Sequence, residues 1–244
     1  MHGGAGPVPT ATRNRYTARW FSRDPTAVAA IPDPASRAPH LAGEQLVIRD
    51  LSVGPLQRVS LQVAPGEIVC ISGESGSGKS RLLRAIADLE PHSGSVDIGA
   101  DRRESVAAHC WRGWVMLVPA ESSWWADTVV EHFLDPVPGS FAAFGLDEAA
   151  LGWQVSRLSS GEKQRLAVLR ALSHEPRAML LDEPTANLDP ELAREVEAWL
   201  RDYFRRRGMP VLWVAHDRAQ IARVADRHFA IRGAGLEEQP CRTA

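Results

Sequence analysis

Gly73-Glu74-Ser75-Gly76-Ser77-Gly78-Lys79-Ser80 is the stretch on which the reading of this chain turns. The octet fits G-x-x-x-x-G-K-S/T, and its flanks supply the context that pattern needs. Ile68-Val69-Cys70-Ile71 before it reads as a short strand buried on both faces. Leu82, Leu83, Ile86 and Leu89 after it recur at helical spacing. Glycines let backbone N–H groups converge on phosphate oxygens, and the start of the following helix adds its positive dipole end. Lys79 is then placed to reach the β- and γ-phosphates, and the Ser80 hydroxyl to ligate Mg²⁺. The loop predicts a magnesium-complexed nucleoside triphosphate.

Working outward, Leu46, Ile48, Leu61 and Val63 alternate with polar residues as half-buried antiparallel strands do, and Val96-Asp97-Ile98 reads as a further strand. Downstream, Ala178–Leu181 and Val211–Val214 are buried-strand candidates, each followed by polar residues and a helical pattern. Strands alternating with helices predict an α/β fold with a mainly parallel sheet, its chemistry at the strand C-terminal ends. Asp182 and Glu183 stand at such an end. Asp182 is suited to the magnesium shell and Glu183 to polarising an attacking water.

Composition narrows the class. The 244 residues are 44% hydrophobic and 24% charged with net charge −2, which gives no bulk attraction to nucleic acid or to an anionic membrane. Cys70, Cys110 and Cys241 are widely spaced, which argues against a disulfide framework or a zinc site and fits a reducing compartment. No apolar run approaches the ~18–20 residues of a membrane span, so a soluble, cytoplasmic chain is expected. Residues 1–43 hold six of the 17 prolines and five arginines against two aspartates. They are predicted to be a disordered Pro/Arg-rich tail, or else a cloning remnant or the product of a mis-assigned start codon. Within them, Arg15 to Phe21 is basic and aromatic enough to touch a partner.

The stretch between the loop and the acidic pair separates the remaining families. Leu158-Ser159-Ser160-Gly161-Glu162-Lys163-Gln164-Arg165 resembles the signature of ATP-binding-cassette (ABC) ATPases. Asp182-Glu183-Pro184-Thr185 and Ala186-Asn187-Leu188-Asp189 resemble that family's acidic strand end and D-loop, and Val214-Ala215-His216-Asp217 its switch histidine. Order and spacing agree over about Gln45 to Gly233. The resemblance implies a P-loop NTPase cassette: a parallel core, an antiparallel β subdomain, and a small helical lobe at about 121–172. The ATPase domain would span 44–234, with 235–244 a C-terminal tail.

It implies further that two cassettes close head to tail on two ATP molecules and open after hydrolysis. The nucleotide-binding set would be Gly73, Glu74, Ser75, Gly76, Ser77, Gly78, Lys79, Ser80 and Arg81, with Ser159, Ser160, Gly161, Glu162 and Asp189. Glu183 would be the general base, with Lys79 and His216 on the γ-phosphate. Ser80 and Asp182 would serve Mg²⁺. Independently, Ser159-x-x-Glu162 reads as a capping box and Asp189-Pro190 as a helix start.

Three departures stand out. Ser160 and Glu162 replace the usual glycine and glutamine of the signature. Ala120-Glu121 follows Val115–Pro119 where the family has its Q-loop glutamine, and Glu121 can offer a magnesium-shell oxygen through water. No aromatic residue stands around Val53-Gly54-Pro55-Leu56, where cassettes commonly stack adenine. Trp111, Trp114, Trp124 and Trp125 form a dense cluster that reads either as packing between lobes or, for the later pair, as a docking anchor.

The resemblance implies the ATPase subunit of an ABC transporter, peripheral on the inner face of the cell membrane through a permease and paired with a second cassette. The run Trp213-Val214-Ala215-His216-Asp217 looks somewhat like that of an iron-export ATPase. The alternative is a soluble ABC ATPase of DNA repair or translation. Against that alternative stand one cassette, no cysteine cluster, and only about 100 residues between Lys79 and Asp182. A cassette that binds ATP without turnover is a third reading, opposed by Glu183 and His216.

Overall fold

The computed structural model describes residues 43–241; the N-terminal segment, including Arg15 to Phe21, lies outside them, as do residues 242–244. Leu46–Val53 (β1) and Leu56–Val63 (β2) pair antiparallel, with Leu46 opposite Val63 and Ile48 opposite Leu61, so their apolar positions share a buried face. Ile68–Ser72 (β3) is buried on both sides: Ile68 and Cys70 join one core, Val69 and Ile71 the other. The glycine-rich loop leads into Lys79–Ile86 (α1), whose Leu82, Leu83 and Ile86 pack beneath the sheets. Leu89, expected on that stripe, is exposed. Asp88 takes φ +58° and the Leu89 N–H closes on the Arg84 carbonyl at 2.7 Å, so the helix has already ended in a left-handed turn.

Ser93–Ile98 (β4) and Asp101–Arg102 (β5) complete an antiparallel sheet ordered β2-β1-β4-β5. Ala108–Trp114 (α2) feeds Val115–Val118 (β6), and the chain then crosses a lobe of short helical turns. That lobe includes Ser140–Ala143 (α3) and ends in Ser160–Leu172 (α4). Ala178–Asp182 (β7), Pro190–Arg207 (α5), Val211–Val214 (β8), Arg218–Val224 (α6), Arg227–Arg232 (β9) and Gly235–Gln239 (β10) complete the described chain.

The larger sheet is ordered β10-β9-β3-β8-β7-β6 and is parallel except at β9–β10. Its parallel strands deliver the segments after β3, β6, β7 and β8 to one edge. The antiparallel sheet and α1 cover one face, and α4, α5 and α6 cover the other. Residues 235–239 are therefore not a tail. Gly235 stands opposite Arg232 and Gln239 opposite His228, and two glutamates keep this edge strand from pairing further.

Arg177 fastens the antiparallel sheet to the core. Its Nε and Nη2 each meet Glu44 at 2.5 Å, its Nη1 meets Asp101 at 2.8 Å, and its guanidinium lies 4.5 Å from the Trp114 ring centroid. Trp111 is fully buried, with its indole N–H donated to the Ile86 carbonyl at 2.9 Å, so the early half of the tryptophan cluster packs. Among the described residues no helix is long and apolar enough to cross a membrane.

Candidate active site

The loop after β3 is shaped by backbone torsions that disfavour side chains. Gly78 has φ +104°, and a Cβ there would press within 3.2 Å of Pro55 in the β1–β2 turn. Gly76, at φ +78°, faces open space, which leaves its backbone approachable by a ligand. Lys79 is nearly buried and its Nζ donates to the carbonyls of Gly73 and Glu74, at 2.9 Å each. Burial pulls its ammonium below the ordinary lysine value, and the carboxylates of Glu183 and Asp182 oppose that shift. The Ser77 hydroxyl oxygen is buried without a hydrogen-bond partner among the described residues. Ser80 is exposed. The Arg81 guanidinium lies against Gly54, where a Cβ would have to displace it, and it pairs with Glu90 at 2.5 Å.

Asp182 ends β7 and is buried; Glu183 follows it in the turn leaving the strand and is half-buried. Glu183 has φ +51° directly before Pro184, a torsion that costs roughly 1–3 kcal/mol and needs surrounding structure to hold it. Its N–H donates to the Val214 carbonyl at 3.2 Å, and its Oε1 stands 2.7 Å from His216 Nε2. The strand ends thus bring Glu183 and His216 into direct contact, with Glu183 within electrostatic reach of Lys79. Ala120 and Glu121 are exposed and follow β6, at the edge where Asp182 ends its neighbour β7.

Ser159 caps α4 through a closed box: its hydroxyl accepts the Glu162 N–H at 3.2 Å, and Glu162 accepts the Ser159 N–H at 2.8 Å. Hydrogen bonds from the Ser159 hydroxyl and then its N–H hold the Glu162 carboxyl below its usual range. Ser159 and Ser160 are exposed, and a Cβ on Gly161 would sit 3.4 Å from the Asn187 carbonyl, so this helix start lies against the D-loop segment. Asp189 caps α5, accepting from Glu191 and Leu192, as its place before Pro190 predicted. No hydrogen bond or ion pair joins residues 159–161 to residues 73–80 among the described residues.

Sequence reasoning missed the links between these parts. Gln164 Nε2 donates to the Pro119 carbonyl at 3.3 Å, joining α4 to the segment after β6. A polar residue on the buried face of α4 was the available signal. Trp124 and Trp125 frame Arg170, whose guanidinium lies 4.5 and 5.0 Å from their ring centroids, and Trp125 is 74% exposed.

The family model described as ABC transporter matches residues 56–186. The chain is 34% identical to a probable anion import ATP-binding protein of Haloferax volcanii, over 87% of this chain and 85% of that protein. It belongs to the ABC transporter family. This cassette is also 35% identical to the aliphatic sulfonates import ATP-binding protein SsuB of Cupriavidus necator, over 80% of this chain and 68% of that one. A solved bacterial Atm1-family ABC exporter with ATP bound superposes with TM-score 0.70 at 23% identity, covering 84% of this chain and 40% of that one, which speaks for the fold. The chain is thus an ABC ATPase that binds ATP and couples its hydrolysis to transport.

Proposed function

We propose that the ATP-hydrolysing unit is a pair of cassettes, each closing its Ser159–Gly161 helix start on the triphosphate held by the other's Gly73–Ser80 loop, and that the pair drives import through a permease. The single observation that carries the hydrolytic reading is the 2.7 Å contact between Glu183 and His216 beside Lys79. Lys79 gives up its two loop carbonyls to take the β- and γ-phosphate oxygens. The converging N–H groups of residues 73–80 and the unpaired Ser77 hydroxyl are the remaining donors. Glu183 accepts the proton of the attacking water, and His216 orients Glu183 and then the γ-phosphate. Arg81, Glu162 and Asp189 border the nucleotide, Glu162 and Asp189 by fixing the two helix starts.

The donor set fits Mg²⁺. Ser80 and Asp182 offer hard oxygens, and among the described residues no group of three His, Cys, Asp or Glu forms a metal cage of its own. That pattern suits an ion that arrives with phosphate oxygens and water, with Glu121 as an outer-shell oxygen. Such an ion, when bound, would neutralise charge on the triphosphate.

The exposed start of α4, which makes no bond to its own chain's loop, supports completion of the site by a second copy. The import names of the two relatives favour uptake over the iron-export likeness. The permease places the cassette at the cytoplasmic face. A Glu183→Gln variant should bind ATP, accumulate as an ATP-bound dimer in light scattering, and release phosphate about 10²- to 10⁴-fold more slowly. Undiminished phosphate release would remove the base.

A further inference from the structure

One buried carboxylate ties together the two arms that carry Glu183 and His216. Glu197 lies on α5 in the apolar stripe of Ala193, Leu200 and Phe204 and is 2% exposed. A charge in such a place needs partners. Its partners come from both arms. Thr185 Oγ1 donates to Oε1 at 3.3 Å, Gln220 Nε2 donates to the same oxygen at 2.8 Å, and Arg223 Nε donates to Oε2 at 2.8 Å. Gln220 Nε2 also reaches Thr185 Oγ1 at 2.6 Å, which closes the ring. Thr185 stands two residues beyond Glu183 in the turn leaving β7. Gln220 stands four beyond His216, in the first turn of α6, where the Asp217 side chain accepts its N–H.

We propose that Glu197 is a positioning residue for hydrolysis: it fixes the β7 turn to α6 and so sets the Glu183–His216 contact without touching nucleotide. The left-handed torsion at Glu183 gives it something to hold, because a strained residue keeps its conformation only when its surroundings over-determine it. Val214 restrains the near side of that residue, and the Glu197 ring restrains the far side beyond Pro184. The proposal rests on Glu183 being the base.

The test is steady-state hydrolysis and nucleotide binding by the full chain. Glu197→Gln preserves shape but, whichever way the amide is turned, sets its N–H₂ against the donor of either Gln220 or Arg223 and removes the charge. It should lower kcat about 10- to 100-fold, the range for a misplaced catalytic group. Kd for a fluorescent ATP analogue should stay within about twofold, because the loop at 73–80 is untouched. Adding Gln220→Glu returns a carboxylate to the ring with Arg223 three residues away, and should recover most of the lost turnover. Thr185→Val, which deletes only the hydroxyl link, should lower kcat severalfold at constant Kd and serves if Glu197→Gln does not fold. A folded Glu197→Gln or Thr185→Val variant with wild-type kcat overturns the proposal. So does a kcat that falls in step with Kd and melting temperature. Glu183→Gln in the same assay keeps the two ideas apart: if it is inactive while Glu197→Gln is not, only the positioning role fails.

Discussion

His132 Nε2 accepts the backbone N–H groups of Trp125 and Ala126, at 3.1 Å each, so that nitrogen carries no proton and Nδ1 donates to the Thr128 carbonyl at 3.0 Å. Burial, then the nearby Arg170 charge, pull this imidazole below its ordinary value, against hydrogen bonds to Thr128 and Val129 and the charge of Glu131. The indole rings of Trp124 and Trp125 and the His174 side of α4 close the rest of its surroundings. Since the folded value lies below the unfolded one, the stabilisation is complete above about pH 6.5 and is lost as pH falls, when the unfolded chain takes up the proton first. Urea unfolding should show this decline between pH 7.5 and 5.5. His132→Leu should cost about 1–3 kcal/mol at pH 7.5, by orphaning two N–H groups, and should flatten that pH slope. An unchanged slope would place the titration elsewhere. At this scale the sequence exposed Lys79, Asp182, Glu183 and His216, because each follows a buried strand or sits in a glycine pattern. His132 and Glu197 were hidden, since their partners come from elements that spacing alone cannot bring together.

At the scale of elements, the start of α4 has two roles. Ser159 and Glu162 satisfy its end N–H groups, and the same exposed N-terminus is the one proposed to close on a partner's triphosphate. Ser159→Ala should destabilise the chain by about 1 kcal/mol in urea titration, as cap losses do. It should also weaken ATP-dependent dimerisation of a Glu183→Gln background in light scattering; loss of stability with dimerisation intact would confine Ser159 to capping. This capping box was legible because its residues are three apart on one local turn. β3, β7 and β8 were legible because burial on both faces leaves an unbroken apolar run. β9 and β10 were not. Arg227 and Arg232 frame a core of only Phe229, Ala230 and Ile231, and β10 is an acidic edge strand that takes its place by pairing rather than by burial.

For the whole molecule, the question is what meets Trp125. It is an exposed indole stacked against Arg170, whose burial brings its guanidinium down to about 10, still charged at neutral pH. A flat aromatic on a half-buried cation loses little entropy on docking. Trp125→Ala should leave hydrolysis by the isolated cassette unchanged and weaken co-purification with its permease by about 2 kcal/mol, the scale of an interface hot spot. Full binding by a folded Trp124→Ala/Trp125→Ala variant would leave the pair to packing. The sequence by itself determined the cassette class, the glycine-rich loop between strand and helix, the acidic strand end and the local caps, because these are set by neighbours within a few residues and by strand or helix period. Only the tertiary structure decided that Glu183 meets His216 at 2.7 Å, that β10 extends the sheet, and that Glu197 joins two arms. Those contacts follow from strand order and helix docking, which a linear pattern does not specify. The glycine loop from Gly73 to Ser80 was plain from spacing alone; which side chains stand around it came from the fold.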